Sequence, residues 1–368
     1  MATRLALVSN LLVLLILAAP SPAQQPIAGG ESLTSGQWQT PLASELQPVA
    51  SEAGSCCPPC RPSACCVPVW SVFGEGLYLR PGNDKVAFGV AINGAIEPPS
   101  GVAPVQVAPE GVVDHEFEPG FRAGLRHAVD DCATMGVTYT HFDSVAEGGL
   151  HVTSPNVIRS LVVHPGTQTA STDFLDATAR GVVQFRLGDM DYRRLIVCDD
   201  LYAVHYLIGG RYASMGQEFS SLFTNSTLRE MIGTQIDFEG GGIRLGLEGE
   251  RHARCSGWML YGRSAASFVG GVFRADYYQR DSLRGLVVNT GWKEDRIITI
   301  LDLELGVGWT SNCGRFRVTA GYMVNAWLNT LGTEDFIQAV QNNTSGRSSD
   351  LSNAMTFDGL TTHVEYRF

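Results

Sequence analysis

Three groups of residues in this 368-residue chain have types and spacing that could carry chemistry. The first is a run of thiols, Cys56, Cys57, Cys60, Cys65 and Cys66, inside CCPPCRPSACC, with Cys132, Cys198, Cys255 and Cys313 spread beyond it. Thiolates bind zinc well, but this spacing is not a two-pair finger pattern and no His lies nearby. Disulfides or an unstructured tether are the favoured readings, with zinc as the alternative. The total of nine is odd, so at least one thiol is free, paired to another chain or otherwise occupied.

The second group would serve nucleophilic or metal chemistry. Ser264 lies in Gly-Arg-Ser-Ala-Ala, which lacks the second Gly of a nucleophile elbow. The eight His are scattered without a His-x-x-x-His pair; His205 and His363 read as solvated polar residues. Gly240-Gly-Gly-Ile-Arg-Leu-Gly lies inside a strand pattern, not at the strand-to-helix turn a phosphate loop requires. No catalytic, cofactor-binding or metal site is expected. The third group is a set of Arg, Asp and Glu residues that alternate with apolar ones, and its chemistry is electrostatic.

That alternation defines the elements. In residues 116–126, Phe117, Phe121, Ala123 and Leu125 share one face and Glu116, Glu118, Arg122 and Arg126 the other. In 314–329, Phe316, Val318, Ala320, Tyr322, Val324, Ala326 and Leu328 oppose Arg315, Arg317, Thr319, Asn325 and Asn329. Leu301, Leu303, Leu305, Val307 and Trp309 oppose Asp302 and Glu304; Tyr206 and Ile208 oppose His205 and Arg211; Leu245 and Leu247 oppose Arg244 and Glu248. A period of two is the mark of strands with unlike faces. The stretches 70–80 and 256–272 alternate poorly, and their facing is left open.

Composition sets the compartment. Charged residues are 17% of the chain, against about 25% in a typical soluble domain. All 17 prolines lie at or before Pro165, so the last 203 residues contain none, as central strands require. Arg4, the apolar run Leu5 to Ala19 and Ser21-Pro22-Ala23 form a Sec-type signal peptide with cleavage after Ala23. Residues 24–69 read as a Pro- and Cys-rich periplasmic tether, and 70–368 as one folded unit. With a formal charge of -11, nucleic acid is not an expected partner.

Short connections near 130–132, 189–199, 251–255 and 311–314 alternate with long ones near 81–113, 146–172, 215–235, 273–295 and 331–356. This is the layout of a closed antiparallel transmembrane β-barrel, with short periplasmic turns and long extracellular loops. Ten strands are expected, or twelve if hairpins form within 81–113 or 273–295. A soluble β-sandwich also alternates, but aromatic residues near strand ends favour a bilayer. The chain also ends on an alternating strand, Leu360 through Val364 and Tyr366 to Phe368. An aromatic terminus of this kind looks like an outer-membrane sorting signal, read by the barrel-assembly machinery. The acidic excess is expected in loops and turns, for example Asp189, Asp191, Asp199, Asp200, Asp281, Glu294 and Asp295.

Several segments together resemble the Legionella-type major outer membrane protein family. They are Trp70-Ser-Val-Phe-Gly-Glu-Gly-Leu-Tyr-Leu-Arg-Pro81, Glu118-Pro-Gly-Phe-Arg-Ala-Gly-Leu125 and Val137-Thr-Tyr-Thr-His-Phe142. Phe238-Glu-Gly-Gly-Gly-Ile-Arg-Leu-Gly-Leu-Glu-Gly249, Gly257-Trp-Met-Leu-Tyr-Gly262 and Leu303-Glu-Leu-Gly-Val-Gly-Trp309 complete the set. The resemblance covers about 70–368 and implies a pore-forming barrel in the outer membrane of a diderm bacterium. It carries over no catalytic or ligand-binding residue.

If apolar faces meet lipid, the lumen is lined by Arg122, Arg126, Arg180, Arg186, Arg211, Arg244, Arg315, Arg317 and Arg367, opposed by Glu116, Glu118, Glu248, Glu250, Asp302, Glu304 and Glu365. These charges could form a wet constriction that sets selectivity, or pair across a narrow lumen and plug it. The first reading is a passive pore for ions or small polar solutes. The second is a structural or surface-interaction barrel, homo-oligomeric or crosslinked to envelope partners through its cysteines. The nine cysteines are expected on the periplasmic side.

Overall fold

The computed structural model describes residues 69–94, 104–167, 173–199, 201–253, 256–343 and 352–368. The signal peptide with its cleavage site at Ala23, the tether and its five thiols, Asp200 and Cys255 fall outside the described residues.

Ten strands close into an antiparallel barrel. They are β1 (Trp70–Gly82), β4 (Glu118–Asp130), β5 (Ala133–His151), β7 (Asp176–Cys198), β8 (Tyr202–Thr224), β9 (Arg229–His252), β10 (Trp258–Asp281), β11 (Gly285–Thr310), β12 (Phe316–Thr330) and β13 (Asn353–Arg367). Each pairs with its sequence neighbour in the barrel, and β1 closes the ring against β13 and β4. The three remaining strands, β2 (Val86–Asn93), β3 (Gly111–Val113) and β6 (Asn156–Ser160), leave the barrel and form a separate small sheet. The extra hairpin expected within 81–113 therefore adds no membrane pass.

The two prolines inside barrel strands obey the ladder rule. Pro81 pairs only with β13, because β4 does not reach its level, and Pro119 pairs only with β1, because the β4–β5 ladder starts one residue later at Gly120. A residue without N–H costs nothing where no acceptor waits.

Two of the expected long loops are not loops. β8 and β9 are joined through 225–228, and β10 and β11 through 282–284. The strands β7 to β11 contain 23 to 26 residues, or roughly 75–85 Å along the strand. A bilayer pass needs ~9–11 residues, so this arc stands far above the membrane as a wall. The opposite arc is shorter, and the chain fills the space beside the wall. The cap consists of the small sheet, a 3-10 turn at Pro165–Thr167 and α1 (Thr333–Gln341). Glu334 and Asp335 occupy the first turn of α1, where the helix dipole favours them. Phe336, Ile337 and Val340 make its buried face and join one core with Phe88, Phe174 and Phe223.

The wall explains a change of phase within single strands. Near the periplasmic end of β9, Ile243, Leu245 and Leu247 point out and Arg244, Glu248 and Glu250 point in. Nearer its outer end the polarity reverses: Ile232, Ile236 and Phe238 point in while Gln235 and Glu239 point out. The switch falls at Gly240-Gly-Gly242. A Cβ on Gly242 would run into the Phe268 carbonyl, and one on Gly240 would lie 2.6 Å from the Gly270 oxygen. Gly242→Val is therefore expected to prevent closure. The check is heat-modifiable migration, in which the variant runs as unfolded chain at every temperature.

Candidate functional site

Below the phase change the lumen holds, among the described residues, sixteen formal charges in three tiers, defined by their contacts. In the tier under the cap, Arg211 of β8 makes a two-pronged contact with Asp189 of β7, Nε to Oδ1 at 2.6 Å and Nη2 to Oδ2 at 2.8 Å. Its Nη1 lies 2.8 Å from Asp302. Arg244 pairs with Asp191. The middle tier joins Arg122 to Glu75 at 2.7 Å and to Glu304 at 3.6 Å, with Arg263 3.8 and 3.5 Å from the same two carboxylates. Tyr261 donates to Glu304 at 2.7 Å, and His363 lies 3.3 Å from Glu75. In the periplasmic tier Arg193 meets Glu248 at 2.8 Å, Arg317 meets Glu250 at 2.8 Å, and Arg367 meets Glu365 at 3.0 Å. Arg126 stands 3.9 Å from Glu365 with its guanidinium over the Phe73 ring.

Strand alternation brings Arg122, Arg126, Arg211, Arg244, Glu248, Asp302, Glu304 and Arg317 together in the lumen, along with Glu250, Glu365 and Arg367. Arg186 does not belong there. It is exposed on the outer face of β7, because Val183, Phe185 and Leu187 take the inward positions above the phase change. Arg180 is outward and exposed for the same reason. Arg315 is exposed in the turn before β12, one residue short of the ladder. Glu116 is exposed before β4 begins, and Glu118 is half-buried where β4 starts.

Five lumen charges escape the sequence reading: Glu75, Asp189, Asp191, Arg193 and Arg263. Glu75 and Arg263 lie in the two stretches that alternate poorly, since Glu75 shares its face with Phe73, Leu77 and Leu79. Asp189 and Asp191 were expected in a turn with the acidic excess, but β7 runs on to Cys198 and carries both into the lumen. Glu294 and Asp295 are likewise strand residues of β11, and Asp281 ends β10. Only Asp199 of the described set occupies a turn.

Above the ionic tiers the lumen is closed by apolar side chains. Phe142, Phe185 and Phe357, from β5, β7 and β13, are in mutual contact and Trp327 of β12 packs on Phe185, with ring centroids 4.6 Å apart for Phe185 and Phe357 and 6.0 Å for Phe185 and Trp327. Met215, Phe238, Phe273, Ile298 and Ile300 close the other side, all buried. Asn325 links the layers, donating to Asp302 below and accepting from the Trp327 indole above. A cavity of about 70 Å³ lies among the ionic tiers, lined by Arg122, Arg193, Arg244, Asp191, Glu248 and Glu304. A single water needs ~10–15 Å³ by this measure, so the charged part has room for several.

One further constellation lies in the cap. His115 Nδ1 is 2.8 Å from the Ser144 hydroxyl, and its Nε2 is 3.3 Å from Asp84. Hydroxyl, imidazole and carboxylate in series are the parts of a nucleophilic relay, yet Ser144 is 1% exposed and offers a substrate no approach. The three clasp the loop after β1 to the wall of β5. Burial pushes the Asp84 carboxyl up, against the pull of His115. In His115→Ala that pull is gone, and at neutral pH a buried carboxylate is left unpaired, at ~1–3 kcal/mol or more. Faster proteolytic cleavage between Gly82 and Glu118 is expected at neutral pH. Protection should return as acid protonates Asp84, since a raised carboxyl contributes most below its ordinary range.

Cys132 and Cys313 are free and exposed in the turns after β4 and β11, and Cys198, which ends β7, is disulfide-bonded. All three lie at the end of the barrel where Trp70 and Phe368 meet. Val364, Tyr366 and Phe368 point outward and are exposed there. Among the described residues no cluster has the make-up of a metal centre.

A closed ring of strands with an apolar belt outside and charges inside is a β-barrel of the bacterial outer membrane. The chain belongs to the family of the Legionella pneumophila major outer membrane protein precursor, whose model matches residues 62–368. No curated protein matches it. Among solved structures it is similar to the outer membrane protease OmpT from Escherichia coli, at 12% identity and a TM-score of 0.47, covering 81% of this chain and 96% of that one. The Pseudomonas putida toluene transporter TodX gives 12% and 0.29 over 79% and 67%. Acinetobacter baumannii CarO gives 9% and 0.27 over 82% and 98%. Likeness at this level carries no argument about activity, which has to come from the lumen.

Proposed function

We propose that this protein is a porin-like channel for ions and small polar solutes that rests closed. The observation that carries the reading is the lumen at membrane height. Eight arginines face eight carboxylates there. Several of their buried nitrogens, Arg193 Nε, Arg244 Nε and Arg367 Nε among them, have no protein partner. Buried donors take water where protein does not serve them, so the tier under the cap and the periplasmic tier take up water while the middle tier is served by its own ion pairs. A barrel needing only mechanical strength gains nothing from so many desolvated charges, since apolar packing is as stable or more so. The signs are intermixed, which supports weak rather than strict ion preference. No bond-making chemistry, cofactor or metal is part of the proposal.

The apolar layer favours a second reading, a surface-interaction barrel that never opens. Planar-bilayer recording of the refolded chain separates the two. The channel reading expects brief, small conductance steps in the wild type, and a barrel silent under all applied voltages supports the alternative. Export by the signal peptide and assembly through the Phe368 strand belong to both readings. Phe368→Ala is expected to lower the amount of folded barrel in outer-membrane fractions several-fold without affecting export.

A further inference from the structure

The charges are balanced over the whole lumen but not along it. Under the cap, Arg211 and Arg244 face three carboxylates, Asp189, Asp191 and Asp302. In the middle, two arginines face Glu75 and Glu304. At the periplasmic end, among the described residues, Arg126, Arg193, Arg317 and Arg367 face three carboxylates, Glu248, Glu250 and Glu365. The lumen is therefore positive toward the periplasm and negative under the apolar layer.

The surplus has unspent donors. Arg317 is 4% exposed, and only its Nη1 is bonded, to Glu250; Nε and Nη2 are buried without a partner. Arg193 reaches the same Glu250 oxygen at 3.7 Å and leaves its own Nε without a partner. Arg317 stands opposite Glu365 in the β12–β13 register, and Glu365 holds Arg367, whose Nε is also unpartnered. Four guanidinium nitrogens from three strands thus remain after every carboxylate of the tier has been served. A planar fork of donors matches the oxygens of a carboxylate or phosphate better than a round halide. The geometry points to a small-oxyanion site at the periplasmic end of the lumen, built by Arg193, Arg317 and Arg367, with inorganic phosphate or sulfate as the chemical class of ligand. It deepens the channel reading by naming what the periplasmic end of the lumen would concentrate, and rests on that reading only for its role.

The test is calorimetric titration of the refolded full chain in detergent with inorganic phosphate, against sodium chloride at matched ionic strength. Saturable binding with a Kd on the order of 1 mM, absent with chloride, is expected. Arg317→Gln should weaken it about tenfold and Arg317→Lys less, because the lysine keeps charge but loses the fork. In the wild type, phosphate should also protect the partly exposed Arg193 and Arg367 from phenylglyoxal, while the exposed Arg315 and Arg194 react unhindered. That arm decides the matter if Arg317→Gln does not fold. Equal heats with chloride, unchanged binding in a folded Arg317→Gln, or no protection would overturn the site. Binding is read without conductance: an ion-tight barrel that binds phosphate rejects the channel and keeps the site, and a conducting barrel that ignores phosphate does the reverse.

Discussion

Replacing Phe185 and Phe357 together by alanine is expected to raise the ionic conductance of the refolded barrel by roughly tenfold or more. Their rings are 4.6 Å apart and both touch Phe142, so the pair closes the lumen between two arcs of the barrel. Removing them leaves an apolar space directly above the wet tiers, and Asn325 and Trp327 lose the wall that fixes them. Each large-to-small change costs about 3–5 kcal/mol, but the strand ladder outside the core is untouched. Heat-modifiable migration shows whether the barrel is still formed. A folded double variant that conducts no more than the wild type would exclude the apolar layer as the gate.

A large loss of stability from a single isosteric change is expected for Glu75→Gln. This side chain is fully buried and serves Arg122 at 2.7 Å, Arg263 at 3.8 Å and His363 at 3.3 Å. The substitution keeps the shape and removes the charge, so two guanidinium groups are left to share Glu304. Breaking one partner of a buried ionic set costs about 3–5 kcal/mol, because the remaining charge stays desolvated. The urea midpoint in micelles should fall by a correspondingly large step. Glu147→Gln is the control. Its carboxylate is exposed and only 3.9 Å from the exposed Arg180, and exposed pairs contribute little. Equal midpoints for the two variants would mean the middle tier is well solvated, not a buried network.

How far the fold was legible follows from what alternation encodes. A period of two reports two unlike faces, and it located the strands, the ten passes and most inward residues of β4, β9, β11 and β12. It does not say which face is inside. Around Arg186 the pattern is as regular as around Arg244, yet the apolar face points to lipid at Ile243 and into the cap core at Phe185. Only the height of the residue relative to the bilayer distinguishes them, and no local pattern carries height. The same ambiguity hid the wall: Phe219, Phe223, Ile232 and Ile236 alternate with polar residues outside the membrane, where they read as loop. Glu75 and Arg263 were missed for a different reason. Their inward neighbours are Phe73, Leu77 and Tyr261, so the inner face is itself mixed and the alternation blurs. The Asp84–His115–Ser144 clasp had no signal at all, because a cap brought together residues that no spacing relates.

The account stands on the reversal of polarity along β7, and paired nitroxide labels measure it directly. In a background with Cys56, Cys57, Cys60, Cys65, Cys66, Cys132 and Cys313 replaced by serine, Met190→Cys and Arg186→Cys, made singly, place labels on the same outer face, four residues apart. Collision with lipid-soluble oxygen and with a water-soluble nickel chelate is then compared in liposomes. A label at 190 is expected to meet oxygen and exclude nickel, and a label at 186 is expected to do the opposite. Both labels reporting lipid would place the bilayer across the apolar layer, and the division into a wet ionic lumen and a dry cap above it would be wrong.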